Sequence, residues 1–237
     1  MSTDQEWEFI YGLLKLQRPT HIVEIGVASG GMACSIVNAM HENIKTTNKQ
    51  AWYTGYDLWD IHGATAQFAQ LGSLELVSES LNKINKENWN LVKQDTQNNQ
   101  SKFRYDLKHR FTNGIDFTFI DGCHSYQGIT NDFFNVWPHM NPQGIIAFHD
   151  TAVIDGCREF IADLRIHNNG SYDISDYPYG TNERNCGITL ITTPGFGDVK
   201  IDEICTSIST PSEIYEKENN PLTPTSQWWL DNLKERI

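Results

Sequence analysis

No apolar run in this sequence approaches the roughly 18 residues that a membrane-spanning helix needs. Basic residues are also scarce. Eighteen Lys and Arg stand against 30 Asp and Glu, for a net charge of −12. A surface this acidic repels nucleic-acid phosphate and anionic lipid. Neither a nucleic acid nor a membrane is therefore expected as a partner. The five cysteines, Cys34, Cys123, Cys157, Cys186 and Cys205, form no C-x-x-C pair. That spacing gives no zinc motif or thioredoxin-like motif. An odd count in a chain of this size argues against a disulfide framework, so they are expected as small core residues. The G-x-G-x-x-G fingerprint is missing, and so is any Gly-Lys-Ser/Thr. The first absence speaks against a nicotinamide oxidoreductase and the second against a phosphate-binding loop. The opening residues Met1-Ser2-Thr3-Asp4-Gln5-Glu6 are polar and acidic, without the basic-then-apolar order of a secretory leader. Cytoplasmic residence is the expectation.

The chain has 237 residues, 39% hydrophobic and 11% aromatic, enough for a sizeable core. Thr3-x-x-Glu6 has the form of a capping box. Apolar residues from Trp7 to Leu16 follow at helical spacing, which predicts a helix over 4–17 closed by Pro19. Strands are expected at His21–Ile25, Trp52–Tyr56, Trp89–Lys93, Ile115–Ile120 and Gly144–Phe148. Helices are expected at Met32–Met40, Ser73–Lys86, His124–Trp137 and Gly156–His167. Asn98–Arg110 is too polar to assign. Residues 60–72, with Asp60, His62, Gly63 and Gly72, read as a loop or lid. Two late strands fit Tyr172–Pro178 and Gly187–Thr192. Residues 194–225 read as irregular, and Ser226–Arg236, with Trp228 and Trp229, as a terminal docking helix.

Regular strand–helix alternation implies a parallel sheet covered on both faces. The expected fold is a Rossmann-like, doubly wound α/β domain over 1–193. Its seven-stranded sheet is mainly parallel with a late antiparallel strand. Residues 194–237 are expected to form an extension packed on the same domain.

The motif Glu24-Ile25-Gly26-Val27-Ala28-Ser29-Gly30-Gly31 follows a strand and opens a helix. Its glycines permit positive φ and close ligand approach, and the helix start offers free N–H groups to an anion. Asp57 closes the second strand, where a carboxylate could take both hydroxyls of a ribose. Asp95 closes the third, within reach of an adenine amino group. Each of these acids alone could be a solvated strand end, and the loop alone a tight turn.

Together these residues resemble class I S-adenosylmethionine-dependent methyltransferases over roughly residues 10–192. A more specific set lies downstream: Phe119-Ile120-Asp121-Gly122-Cys123-His124-Ser125-Tyr126, Trp137-Pro138, Asn141-Pro142-Gln143-Gly144 and Phe148-His149-Asp150-Thr151. It is similar to the group holding macrolide-sugar O-methyltransferases and cephalosporin-hydroxylase-like proteins. The resemblance implies a bound S-adenosylmethionine contacted by Glu24, Gly26, Ser29, Gly30, Asp57, Leu58, Asp95, Thr96 and Asp121.

Methyl transfer to a hydroxyl needs in-line approach, a base, and positive charge near the developing alkoxide. Asp121 and Asp150 end adjacent strands, so their carboxylates suit a hard cation such as Mg²⁺. His149 adds a candidate nitrogen ligand and would favour a softer metal. Relatives place an acidic or amide residue where His149 stands, so the metal's identity stays open. Asp121 and Asp150 could equally cap the following helices. In Asp121-x-x-His124 the histidine suits general-base work near neutrality. Some macrolide-sugar relatives use a histidine at this spacing, and a loop-bonding histidine is the plainer alternative. Tyr126 could line the pocket or simply pack. The expected activity is O-methylation of a small hydroxylated, sugar-like or natural-product acceptor. A non-catalytic scaffold on the same fold is the alternative, and a homo-oligomer stays open.

Overall fold

The computed structural model describes residues 4–59, 73–168, 170, 172–177 and 186–193. The expected lid over 60–72, residues 178–185, the 194–237 extension with its terminal helix, and Cys205 lie outside the described residues.

The chain alternates as α1 (Asp4–Gln17), β1 (His21–Ile25), α2 (Gly31–Thr47), β2 (Trp52–Asp57), α3 (Leu74–Ile84), β3 (Trp89–Lys93), α4 (Gln100–Arg110), β4 (Ile115–Ile120), α5 (Tyr126–Val136), β5 (Met140–His149), α6 (Asp155–Ile166), β6 (Asp173–Tyr177) and β7 (Ile188–Thr192). The seven strands form one sheet in the order β3-β2-β1-β4-β5-β7-β6. The β1–β2, β1–β4, β2–β3 and β4–β5 pairs are parallel. Only β7 runs against its neighbours β5 and β6. The expected mainly parallel sheet with one late antiparallel strand is what forms.

Burial follows the two-residue period of a sheet covered on both sides. Phe117, Phe119, Ile145 and Ala147 join one core with Ile10 and Leu14 of α1, Ile36 of α2 and Val77 and Leu81 of α3. Ile120, Ile146 and Phe148 join the other, with Phe103 and Leu107 of α4, Phe133 of α5 and Phe160 and Leu164 of α6. The order of strand addition reverses at β1: β2 lies on one side and β4 on the other. The carboxyl ends of β1 and β4 therefore open the crevice where ligands of such sheets bind.

Several expectations need correction. The segment left unassigned at 98–110 is α4, which buries only Phe103 and Leu107, one turn apart. Two anchors in an otherwise polar helix of 11 residues suffice for docking but give no readable stripe. Helix α2 runs on to Thr47, where Asn43 donates from Nδ2 to the Leu14 carbonyl (2.8 Å) and Asn48 closes it at φ +58. Helix α5 begins at Tyr126, not His124, because Ser125 is its N-cap and accepts from Gly128 N. Cys123 is exposed, contrary to the core role expected of it, and Cys34 is half-buried. Among the described residues no helix is long and apolar enough to cross a membrane.

Candidate active site

The β1–α2 turn is built on positive φ. Gly26 lies at φ +89, Ala28 at +47 and Gly30 at +83. A Cβ on Gly26 would fall 2.1 Å from the Asp121 carbonyl oxygen. The turn therefore packs backbone to backbone against the end of β4, where Asp121 N also donates to Ile25 O (2.8 Å). Gly30 caps α2 without a side-chain bond, and the first turn carries no acidic residue. The opening amides of α2 are left to a ligand's anionic group, with Ala28 and Ser29 exposed beside them.

Glu24 is fully buried under this turn. Tyr53 donates its hydroxyl to Glu24 Oε2 (2.6 Å), and the second oxygen, Oε1, has no partner. Gly55 makes the contact possible, since a Cβ there would meet the Tyr53 hydroxyl at 2.5 Å. Burial raises the Glu24 pKa to about 8, with further rises from the nearby Asp121 and Asp57 charges and an opposing effect from Tyr53. Three carboxylates at the ends of β1, β2 and β4 thus face one crevice closely enough to repel each other. A cation beside Glu24 would offset that repulsion and favour its charged form. Asp57 accepts from Ala28 N at Oδ2 (2.8 Å) and from Trp59 N at Oδ1 (3.0 Å), with an exposed Leu58 between. Asp95 turns back on its own loop, taking Gln97 N and Asn98 N at Oδ1 and the Asn98 side chain at Oδ2. Its carboxylate shapes the loop, and Thr96 beside it is buried.

At the β4 and β5 ends the structure brings together all four residues expected to carry the chemistry. His124 Nε2 is 3.1 Å from Asp121 Oδ1 and 3.2 Å from Asp150 Oδ2. His149 Nδ1 is 3.1 Å from the same Asp121 oxygen and 3.4 Å from Asp150 Oδ1. Asp121, His124 and Asp150 each offer a ligand atom within 4.8 Å of the others. Asp150 holds this position with backbone at φ +59, a left-handed conformation that aspartate tolerates better than most residues. Burial disfavours charge on Asp121, but hydrogen bonds from His124 and His149 outweigh it and bring its pKa to about 2. His149 is buried too. Desolvation opposes its charge, yet bonds to Asp121, Asp150 and Glu6 raise its pKa to about 12. His124 is raised by its bond to Asp121. Its side chain is 40% exposed, that of His149 0%, so only His124 can meet a substrate directly.

Tyr126 does not open into this cluster. It is buried and donates to Asp163 Oδ2 (2.6 Å). Beyond Asp150, a groove of about 290 Å³ runs between α6 and β6–β7, with Thr151, Ile161, Arg165, Tyr177 and Thr189 among its lining.

Residues 23–151 match a family model described as a methyltransferase domain. The chain belongs to this methyltransferase family. The likeness to class I S-adenosylmethionine-dependent methyltransferases read from the sequence is thereby borne out. The chain is 35% identical over 81 residues to an uncharacterized protein of Acanthamoeba polyphaga mimivirus. That match covers 30% of this chain and 37% of the relative, so it spans little more than a third of the relative's length. Among solved structures, the fold is similar to the O-methyltransferase TomG of Streptomyces achromogenes, involved in tomaymycin synthesis and in complex with SAM. The TM-score is 0.62 at 14% identity, over 82% of each chain. It is also similar to the Bacillus cereus O-methyltransferase in complex with SAH, with a TM-score of 0.59 at 12% identity over 81% of this chain and 82% of that one.

Sequence reading missed four residues around this domain's crevice: Tyr53, Gln97, Asp132 and Glu6. Tyr53 reads as an ordinary strand aromatic, and only Gly55 two positions on hints that its hydroxyl has somewhere to go. Gln97 and Asp132 link the loop after β3 to helix α5. Gln97 Nε2 donates to Asp132 Oδ1 (2.9 Å), and Asn131 Nδ2 donates to Gln97 Oε1 (3.0 Å). Asp132 Oδ2 has no partner and sits where a Cβ on Gly122 would be 3.2 Å away. Burial drives its pKa up to about 7, against the lowering effect of Thr96 and Gln97. The folded state keeps this proton to near pH 7, while the unfolded chain releases it near pH 4. The contribution of Asp132 to stability is therefore full below pH 4 and is lost between pH 4 and 7, at up to about 1.4 kcal/mol per pH unit. Asp132→Asn should remove that slope, so the variant gains on the wild type as pH rises. Urea titrations at pH 5, 6, 7 and 8 read it, and parallel curves for the two proteins would refute it.

Proposed function

We propose that this domain transfers a methyl group from S-adenosylmethionine to a hydroxyl oxygen of a small polar acceptor, sugar-like or natural-product in type. A divalent cation assists. The observation that carries the reading is the convergence of Glu24, Asp57 and Asp121 beside the positive-φ turn. A methionine ammonium and a sulfonium would bring positive charge to these three acids, and Glu24 Oε1, buried without a hydrogen-bond partner, is the candidate acceptor for the first. The α2 amides suit the methionine carboxylate. Asp57 keeps lone pairs for ribose hydroxyls, and the Asp95–Thr96 loop borders the adenine side.

When bound, S-adenosylmethionine supplies an electrophilic methyl group and the cation supplies positive charge beside the acceptor oxygen. The oxygen-rich set Asp121 and Asp150, with His149 Nδ1 as nitrogen donor, fits Mn²⁺, Mg²⁺ or Zn²⁺. His124 takes the acceptor's hydroxyl proton at Nδ1, while Asp121 and Asp150 hold the ring through Nε2.

Calorimetric titration with S-adenosylmethionine tests this, with micromolar binding as the expected result. Absence of binding at millimolar cofactor would sink the reading. Binding without transfer to any of a panel of sugars and hydroxylated metabolites would instead assign a scaffold role.

A further inference from the structure

Glu6 of α1 reaches the reaction cluster. It is fully buried, and its Oε2 lies 3.2 Å from His149 Nε2. The sequence gives it the third position of a capping box, a surface role. Thr3, the other half of that box, lies outside the described residues. A buried carboxylate is costly unless paired, so this placement needs a partner worth having. The start of α1 is also fixed in place. The Trp7 ring lies over Gly31, where a Cβ would be 2.6 Å from it, and Ser35 Oγ donates to the Trp7 carbonyl (2.9 Å). Both anchors belong to α2, the helix that opens from the glycine turn. Glu6 is thus held against His149 by the element that frames the cofactor crevice.

A histidine presents one ring nitrogen according to what the other one bonds. Carboxylates behind metal-bound histidines commonly do this work. Here Glu6 faces Nε2, and Nδ1 points at Asp121 and Asp150. We propose that Glu6 is a positioning residue: it accepts a hydrogen bond from the Nε2–H of His149 and fixes the ring so that Nδ1 completes a divalent-cation site with Asp121 and Asp150. This rests on the cation reading above.

The test is Mn²⁺ binding, read from the free-ion electron paramagnetic resonance signal, with S-adenosylmethionine affinity measured in parallel. Glu6→Ala should weaken Mn²⁺ about 10- to 100-fold. Cofactor affinity should stay within about 3-fold, since the glycine turn is untouched. Glu6→Gln keeps an oxygen for the Nε2 proton and should restore most of the Mn²⁺ affinity. A purely structural Glu6 would not give that rescue alongside unchanged cofactor binding. Should Glu6→Ala fail to fold, Glu6→Asp, one methylene too short, takes its place with the same expected loss. Wild-type Mn²⁺ affinity in Glu6→Ala or Glu6→Asp would overturn this proposal alone. So would a loss in Glu6→Gln as large as theirs. No Mn²⁺ binding by the wild type at millimolar ion would overturn the cation reading and this proposal with it.

Discussion

His124→Ala is expected to lower kcat for methyl transfer about 10²–10⁴-fold, the usual worth of a positioned general base. Affinity for S-adenosylmethionine should stay within a few-fold, because the proposed cofactor contacts on the β1–α2 turn and at the β2 and β3 ends are untouched and Asp121 keeps its carboxylate. The same residue sets the pH profile. Its bond to Asp121 raises the imidazole above its ordinary pKa of 6.5. Transfer requires the neutral ring, so kcat should rise with pH and reach half its plateau above pH 6.5. Asp121→Asn removes the raising partner and should shift that midpoint down, on top of its own loss of rate. Isotope-labelled cofactor with a methylatable acceptor reads both effects. Undiminished turnover in His124→Ala would remove His124 from the mechanism, and a profile flat from pH 6 to 9 would remove it as the base.

Gly26→Ala should be among the most damaging single substitutions in the chain. Two costs add. A non-glycine residue at φ +89 is strained, at about 1–3 kcal/mol. The new Cβ would also fall 2.1 Å from the Asp121 carbonyl oxygen and 2.7 Å from Gly122 N. Both are backbone atoms of the central seam, so neither can swing aside. A total loss on the order of 4 kcal/mol is expected. Gly30→Ala is the natural control. It carries the same kind of strain at φ +83, but its Cβ meets only the Val77 side chain at 2.9 Å, which can shift. Urea denaturation should rank the two clearly. Equal, small losses would mean that the β1–β4 seam relaxes more freely than its packing implies.

Most of the architecture was legible before any coordinates, and the reason is physical. Strands buried on both faces, such as Ile115–Ile120, are rich in apolar residues and end abruptly at an acid or a glycine. Those ends are where the chemistry sits, so Glu24, Asp57, Asp121 and Asp150 were found by position alone. What stayed hidden depends on contacts between distant segments. Helix α4 shows only two apolar anchors. Glu6 lies 143 residues from His149. Gln97 and Asp132 look like surface residues until α5 is seen to be buried along nearly its whole length. The expected use of Asp95 also reads differently once its carboxylate is seen closed on its own loop.

The helix that carries Glu6 precedes the stretch by which the family is recognised, since that stretch begins at Val23 and stops at Thr151. A fragment trimmed to those limits would keep the glycine turn and the four cluster residues. It would lose the α1 packing of Ile10 and Leu14, the β7 strand that shields β5, and the carboxylate behind His149. The recognisable domain is thus smaller than the working one, and truncation studies or fusion designs on this scaffold should begin no later than residue 4.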